Sequence, residues 1–216
     1  MADPPSWDRV MDYLVAHSTP PDAVAERLIA ETQALGDVAG MQISSDEGAF
    51  LTAIAGLSGA RHAVEVGTFT GYSSLCIARG MGPAGHLLCC DVSEEWTNIA
   101  RRYWAEAGVA DQIELRLGPA AETLKNLPNE PLFDLAFIDA DKVGYPVYWA
   151  EIVPRMRAGG AICVDNVLQR LQVLDDTASS DNVVAVRRFN DQVVADERVL
   201  VAMLPIRDGV TLAVKR

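Results

Sequence analysis

The run LFDLAFIDADK (132–142) carries an apolar stretch into Asp139, Asp141 and Lys142, and Lys142 is one of three lysines in the chain. A second apolar run, GGAICVDN (159–166), ends on Asp165 and Asn166. Asp139, Asp165 and Asn166 together offer three oxygen donors without histidine or cysteine. That set suits a hard cation such as Mg²⁺, Mn²⁺ or Ca²⁺, with water and substrate completing the shell. Beside such a cation the ammonium form of Lys142 is disfavoured by like-charge repulsion, which moves the side chain toward a usable base. Taken singly, each Asp or Asn also reads as a turn cap and Lys142 as a surface lysine.

Three further apolar runs end in the same manner. One reaches Glu65-Val66-Gly67 and then Thr-Phe-Thr-Gly71, one reaches Asp91, and one reaches Gly118. Gly67 and Gly71 let the backbone pass close to a ligand at a helix N-terminus. The spacing is GxxxG led by Glu65, not the GxGxxG of a dinucleotide site. A pyrophosphate gains nothing from a carboxylate there, whereas a ligand with a positive charge and an amino group does. Asp91 is placed for ribose hydroxyls. Positive charge with ribose points to S-adenosylmethionine rather than NAD.

These residues need a scaffold that brings strand ends to one edge. Short apolar runs at 62–66, 86–90, 113–117, 133–138 and 160–164 alternate with helical stretches at 72–80, 94–107, 119–127 and 145–157. That rhythm predicts a doubly wound α/β fold, its parallel sheet covered on both faces. A helix at 182–196 follows, and then VLVAMLPI and GVTLAVK flank Arg207-Asp208-Gly209, which predicts an antiparallel hairpin. The sheet is thus seven-stranded and mostly parallel, with its site beyond the C-terminal strand ends. Helices at 5–17 and 20–36, split by Thr19-Pro20-Pro21, precede a third from Ser44 to Gly59. Ser44 and Glu47 there fit a capping box.

The chain of 216 residues suits one domain with a substantial core, and 50% hydrophobic with 22% charged residues is ordinary globular composition. No apolar run reaches the roughly 18 residues of a membrane span, and MADPPSWDRVMDYL has no basic, then apolar, leader pattern. A cytoplasmic protein is expected. A net charge of −12 argues against nucleic-acid binding by general electrostatics, and Arg101–Arg102 and Arg187–Arg188 read as solvated helix faces. Cys76, Cys89, Cys90 and Cys163 lack metal or disulfide spacing and read as small buried apolar groups.

Taken together, MQISSDEGAFL (41–51), VEVGTFTGYSSL (64–75), the Asp91 strand end, LGPAAETL (117–124), FDLAFIDADK (133–142), GGAICVDNVL (159–168) and LPIRDGVTLAVKR resemble the cation-dependent O-methyltransferases of catechol and caffeoyl-CoA type, over about residues 38–216. The resemblance implies a Rossmann-like methyltransferase domain spanning 1–216, with residues 1–40 a helical extension that shapes the acceptor pocket and a homodimer contact. It implies a cofactor pocket lined by Met41, Ile43, Gly67, Thr68, Tyr72, Ser73, Val92, Gly118 and Ala120. Glu65 would hold the methionine amino group or nearby ribose, Asp91 the ribose hydroxyls, and Asp139 and Asp141 further cofactor-side contacts. Asp139, Asp165 and Asn166 would be the metal triad, Lys142 the base acting with Asp139 and Asn166, and Tyr148 a substrate contact. The acceptor would be a small aromatic diol.

The chain departs from the family after Asp165-Asn166. Relatives commonly carry a Trp, a small residue and Gly; here the run is Val167-Leu168-Gln169-Arg170-Leu171-Gln172. Arg170 in that place can engage an acidic acceptor or point into solvent. Three other readings stand beside the leading one: methylation of a hydroxylated tRNA nucleoside, a non-catalytic binder of the same cofactor, and an NAD-dependent dehydrogenase. The net charge opposes the first, the intact Asp139, Lys142, Asp165 and Asn166 the second, and Glu65 with the absent GxGxxG the third.

Overall fold

A computed structural model describes residues 6–216. Pro5, where the first helix is predicted to begin, lies outside the described residues. Three helices lead the chain: α1 (Trp7–Ala16), α2 (Ala23–Gln33) and α3 (Ser45–Leu57). Asp22 caps α2 by accepting from Val24 N and Ala25 N, so the prolines at 20 and 21 stop one helix and Asp22 starts the next. The predicted helix to residue 36 ends earlier, and Gly36–Met41 forms a 3₁₀ segment.

Seven strands follow: β1 (His62–Val66), β2 (His86–Asp91), β3 (Ile113–Leu117), β4 (Phe133–Ile138), β5 (Met156–Val164), β6 (Val199–Leu204) and β7 (Val210–Lys215). Between them run α4 (Tyr72–Met81), α5 (Glu94–Glu106), α6 (Ala120–Lys125), α7 (Tyr145–Ile152) and α8 (Asp181–Val194). The sheet order is β3-β2-β1-β4-β5-β7-β6; the first five strands are parallel, and β7 is antiparallel to both β5 and β6. The doubly wound sheet with its terminal hairpin is therefore the fold predicted. Its direction of winding reverses between β1 and β4, and a doubly wound sheet opens its ligand crevice at that point.

The strands read as continuous apolar runs because both faces are covered. Ala63, Leu87, Cys89, Leu135, Phe137 and Cys163 pack with α3, α4 and α5 on one face; Val64, Val66, Leu88, Ala136, Ile138, Ile162 and Val164 pack with α6, α7 and α8 on the other. Each buried Val, Leu, Ile or Phe contributes about 1.5–3 kcal/mol. The four cysteines are buried and unbridged, as their spacing predicts.

Two further predicted features need correction. The helix expected over 145–157 stops at Ile152, and Val153–Arg155 tightens into a 3₁₀ turn before β5 starts at Met156. Pro154 has no N–H for an α-helical bond, and buried Arg155 donates to the carbonyls of Leu127, Pro128 and Glu151, anchoring the chain as it turns. The capping box also fails to form. Ser44 is the N-cap of α3 but makes no side-chain cap bond, and Glu47 is buried beside Asp165 instead of reaching back.

Candidate active site

Asp139 leaves β4 beside the end of β1, its N–H donating to Val66 O at 2.8 Å. Gly67 makes this approach possible: at φ +90° a Cβ there would stand 1.9 Å from the Asp139 carbonyl oxygen. Gly71, at φ +88°, is pressed against Ala100 and the indole of Trp104. Contact with the protein itself requires glycine at both positions.

Lys142 Nζ lies at the centre of a closed polar cluster. It donates to Asp139 Oδ1 at 2.9 Å, to Asn166 Oδ1 at 2.6 Å and to Tyr145 Oη at 2.7 Å, which satisfies all three ammonium protons. Tyr145 Oη donates onward to Asp165 O at 2.9 Å. The Asp165 carboxylate accepts from Asn166 N at 2.5 Å and Asn166 Nδ2 at 3.0 Å. This fixes the amide with its nitrogen toward Asp165 and its oxygen toward the cation. Asn166 sits at φ +57°, a left-handed conformation that Asn tolerates better than most residues.

Behind this cluster Asp165 and Glu47 are 3% and 2% exposed. Burial raises both carboxyl pKa values above their ordinary range, and neighbouring carboxylates add to the effect: Asp165 and Asp139 act on Glu47, and Asp139 on Asp165. Asp139 Oδ1 and Asn166 Oδ1 thus already share one cationic group, with a buried carboxylate adjacent. All are hard oxygen donors that fit a divalent cation. Among the described residues no three His, Cys, Asp or Glu side chains group as a metal cluster.

The neighbouring cluster surrounds Glu65, which has no exposed surface. Its Oε2 accepts from Thr68 Oγ1 at 2.9 Å and Cys89 Sγ at 3.3 Å, while Oε1 is buried, with Ser73 near the carboxylate but no hydrogen bond to Oε1 among the described residues. Burial raises the Glu65 pKa to about 7. Asp91 holds the Gly67–Gly71 loop: Oδ2 accepts from Thr68 N and Phe69 N at 2.9 and 2.8 Å, and Oδ1 from Ser93 N at 2.8 Å. Thr70 shares a 2.8 Å buried hydrogen bond with Thr32, tying this loop to α2. A buried carboxylate oxygen that lacks a donor fits a ligand that carries an ammonium group.

The remaining predicted residues are spread around these two clusters. Ile43 and Ser73 are buried, whereas Met41 and Val92 are exposed. Tyr72 is buried against Gly48 of α3. Gly118 ends β3 at φ +136°, and Ala120 opens α6. Asp141 accepts from Gly144 N at 2.8 Å and Tyr148 Oη at 2.5 Å, so the buried Tyr148 joins Asp141 and not the Lys142 cluster. Arg170 is exposed, and its backbone N–H donates to Asp208.

With this geometry in place, comparison with known proteins decides the family. The O-methyltransferase family profile matches residues 16–216. The chain belongs to the O-methyltransferase family. The methyltransferase is 38% identical over 210 residues to "Probable caffeoyl-CoA O-methyltransferase 1" of Dictyostelium discoideum, covering 95% of this chain and 91% of that one. It is 36% identical over 185 residues to the catechol O-methyltransferase of Mycobacterium tuberculosis, covering 86% and 82%. The O-methyltransferase from Bacillus cereus in complex with SAH superposes with a TM-score of 0.86 at 32% identity, over 96% of this chain and 97% of that one.

The structure also brings in residues that the sequence reading of the methyltransferase passed over. Tyr145 lies three residues beyond Lys142, one turn of local structure away, and that spacing is a usable signal. Glu47 was assigned to a local cap, which hid its burial against Asp165. Arg187, read as a solvated arginine, donates to the carbonyls of Val173 at 3.1 Å, Ala178 at 2.9 Å and Gln172 at 2.9 Å, and also to that of Asp175. It organises the segment between β5 and α8, and no local pattern announces this.

Proposed function

We propose that this O-methyltransferase transfers the methyl group of S-adenosylmethionine to one hydroxyl of a vicinal, catechol-type pair, with a divalent cation held by Asp139, Asp165 and Asn166. The observation that carries the reading is the Lys142 ammonium shared between Asp139 Oδ1 and Asn166 Oδ1, next to buried Asp165. One position thus combines cation-binding oxygens with a potential proton acceptor. The names of the relatives support the acceptor class, and the SAH complex of the Bacillus cereus enzyme supports the cofactor.

A cation held by these residues would supply Lewis acidity to an acceptor hydroxyl, and the cofactor would supply the methyl group. In this reading the unpartnered Oε1 of Glu65 receives the ammonium of the methionine moiety, with Ser73 and the 67–71 backbone beside it. Asp91 serves twice, holding the loop through Thr68 and Phe69 and offering its remaining lone pairs to ribose hydroxyls. Ile43, Met41, Thr68, Tyr72, Val92, Gly118 and Ala120 make up the rest of the pocket, with Asp141 on the cofactor side. Lys142 takes the acceptor proton as the neutral amine, one of its three ammonium protons having first passed to solvent. Tyr145 aims the Lys142 Nζ: the Tyr145 hydroxyl proton is committed to Asp165 O, so its oxygen can only accept from Lys142. Methyl transfer is an in-line displacement, so holding the attacking oxygen in line is itself a large part of catalysis. Arg170 and the 167–172 segment face the choice of acceptor, and Tyr148 acts through Asp141.

The test is methyl transfer from radiolabelled S-adenosylmethionine to a catechol panel, with Mg²⁺ and with EDTA. Product that disappears with EDTA is expected. Product that persists in EDTA refutes the metal assignment. No product from any catechol, with SAH binding demonstrated, refutes the acceptor class.

A further inference from the structure

The turn between β6 and β7 contacts both halves of the site. Gly209 N closes it onto Ile206 O at 2.7 Å, and Arg207 sits at φ +46°. Toward α3, Arg207 makes a two-pronged ion pair with Asp46: Nε lies 2.9 and 3.0 Å from the two carboxylate oxygens and Nη2 lies 2.5 Å from Oδ1. The Asp46 side chain is 8% exposed. Burial alone would raise its pKa, yet the hydrogen bonds and charge of Arg207 hold it below the ordinary value. Because Ser44 supplies no cap bond, the entry to α3 is held from across the fold. Met41 and Ile43 lie just before that entry, and Glu47 just after it.

Toward the other half, the same turn holds the residues that follow Asp165 and Asn166. Asp208 O accepts from Leu168 N at 2.8 Å, Gly209 O accepts from Val167 N at 3.1 Å, and the Asp208 carboxylate accepts from Arg170 N. The fit is close: a Cβ on Gly209, at φ +84°, would lie 2.4 Å from Leu168 Cγ. Asn166, Gln169, Arg170 and Leu171 all have positive φ, at 57°, 46°, 54° and 63°. Such residues are strained and persist only where the surroundings fix them. The turn supplies three of the bonds that do so.

We propose that this turn is a joint with two separable outputs: Arg207 positions the cofactor-side segment through Asp46, and Asp208 positions the acceptor-side segment through residues 168 and 170. Arg207 and Asp208 are positioning residues, since neither is placed against substrate or cofactor. The Asp208 half rests on the acceptor reading given above.

The experiment measures SAH affinity by calorimetry, acceptor KM and kcat on a catechol that the wild type methylates, and amide exchange over 167–171. The full-length variants are Arg207→Met, Arg207→Lys and Asp208→Ala. Losing a hydrogen bond to a charged group costs about 1.5–3 kcal/mol, so Arg207→Met should weaken SAH about tenfold or more, with partial recovery in Arg207→Lys. Asp208→Ala removes the carboxylate that accepts from Arg170 N but keeps the carbonyl that accepts from Leu168 N. It should therefore leave SAH affinity unchanged, raise acceptor KM about tenfold by the same conversion, and speed exchange within 167–171, most at Arg170. Equal loss of SAH affinity in Arg207→Met and Asp208→Ala, or none in Arg207→Met, overturns the proposal. If Arg207→Met does not fold, wild-type SAH affinity in Arg207→Lys overturns the Arg207 half. A wild type that methylates no catechol refutes the acceptor reading; the SAH and exchange measurements then still decide the joint, and unchanged exchange in Asp208→Ala refutes its half.

Discussion

Replacing Glu65 with Gln removes a buried charge while keeping the size of the side chain. Glu65 has no exposed surface, one of its oxygens has no partner, and burial raises its pKa from 4.5 to about 7. Below about pH 4.5 the folded and unfolded chains both carry the proton, so the group costs nothing. As pH rises toward 7 the unfolded chain ionises first, and above 7 the folded, ligand-free chain carries a cost of about 3 kcal/mol, from roughly 2.5 pKa units at 1.36 kcal/mol each. Wild-type stability should therefore fall relative to Glu65→Gln between about pH 4.5 and 7, read by urea denaturation across that range. An ammonium on Oε1 offsets the cost by giving the orphaned oxygen its donor. SAH affinity should rise with pH up to about 7, by at most about tenfold per unit, with proton release detectable by calorimetry in two buffers. Glu65→Gln should flatten that profile and weaken SAH about ten- to hundredfold at pH 8. A wild-type SAH affinity that is level from pH 5.5 to 8 would refute the reasoning, and so would a Gln variant that binds as tightly as wild type.

Lys142→Met should lower kcat by about a hundredfold or more, the usual contribution of a positioned base, while SAH affinity by calorimetry stays the same; wild-type kcat would remove Lys142 from the chemistry. Gly67→Ala forces a Cβ to 1.9 Å from the Asp139 carbonyl at φ +90°, and should cost about 3 kcal/mol or more in denaturant unfolding. An unchanged unfolding midpoint there would mean that the β1 and β4 ends separate freely. Arg187→Gln deprives four carbonyls of their shared cation and should speed amide exchange over 172–178 while leaving β1 and β4 protected. Uniform loosening of the sheet would show that Arg187 serves the core and not the segment.

The order of elements and the edge that carries the site were legible in the amino-acid sequence. Strands β1, β3 and β4 have the predicted limits, with Gly67, Gly118 and Asp139 following directly, and the apolar residues of β1 and β4 divide between the two covered faces of the sheet. In such a sheet the C-terminal strand end is also where a ligand crevice opens, so position alone makes Glu65, Asp91, Asp139 and Asp165 candidates. The same local logic failed where a distant partner outweighed a local one. Ser44 and Glu47 have the spacing of a cap, but Arg207, 161 residues from Asp46, holds the helix entry, and Glu47 turns inward to Asp165. Gly67 must also leave room for the Asp139 carbonyl, a contact from another strand that local spacing does not announce. Arg187 looked solvated and proved to bind four carbonyls. Periodicity and chain order determine which residues reach the strand ends, because burial acts on every residue of a strand alike. Which polar group meets which is decided by the tertiary structure, because hydrogen bonds are directional and their partners lie far apart along the chain.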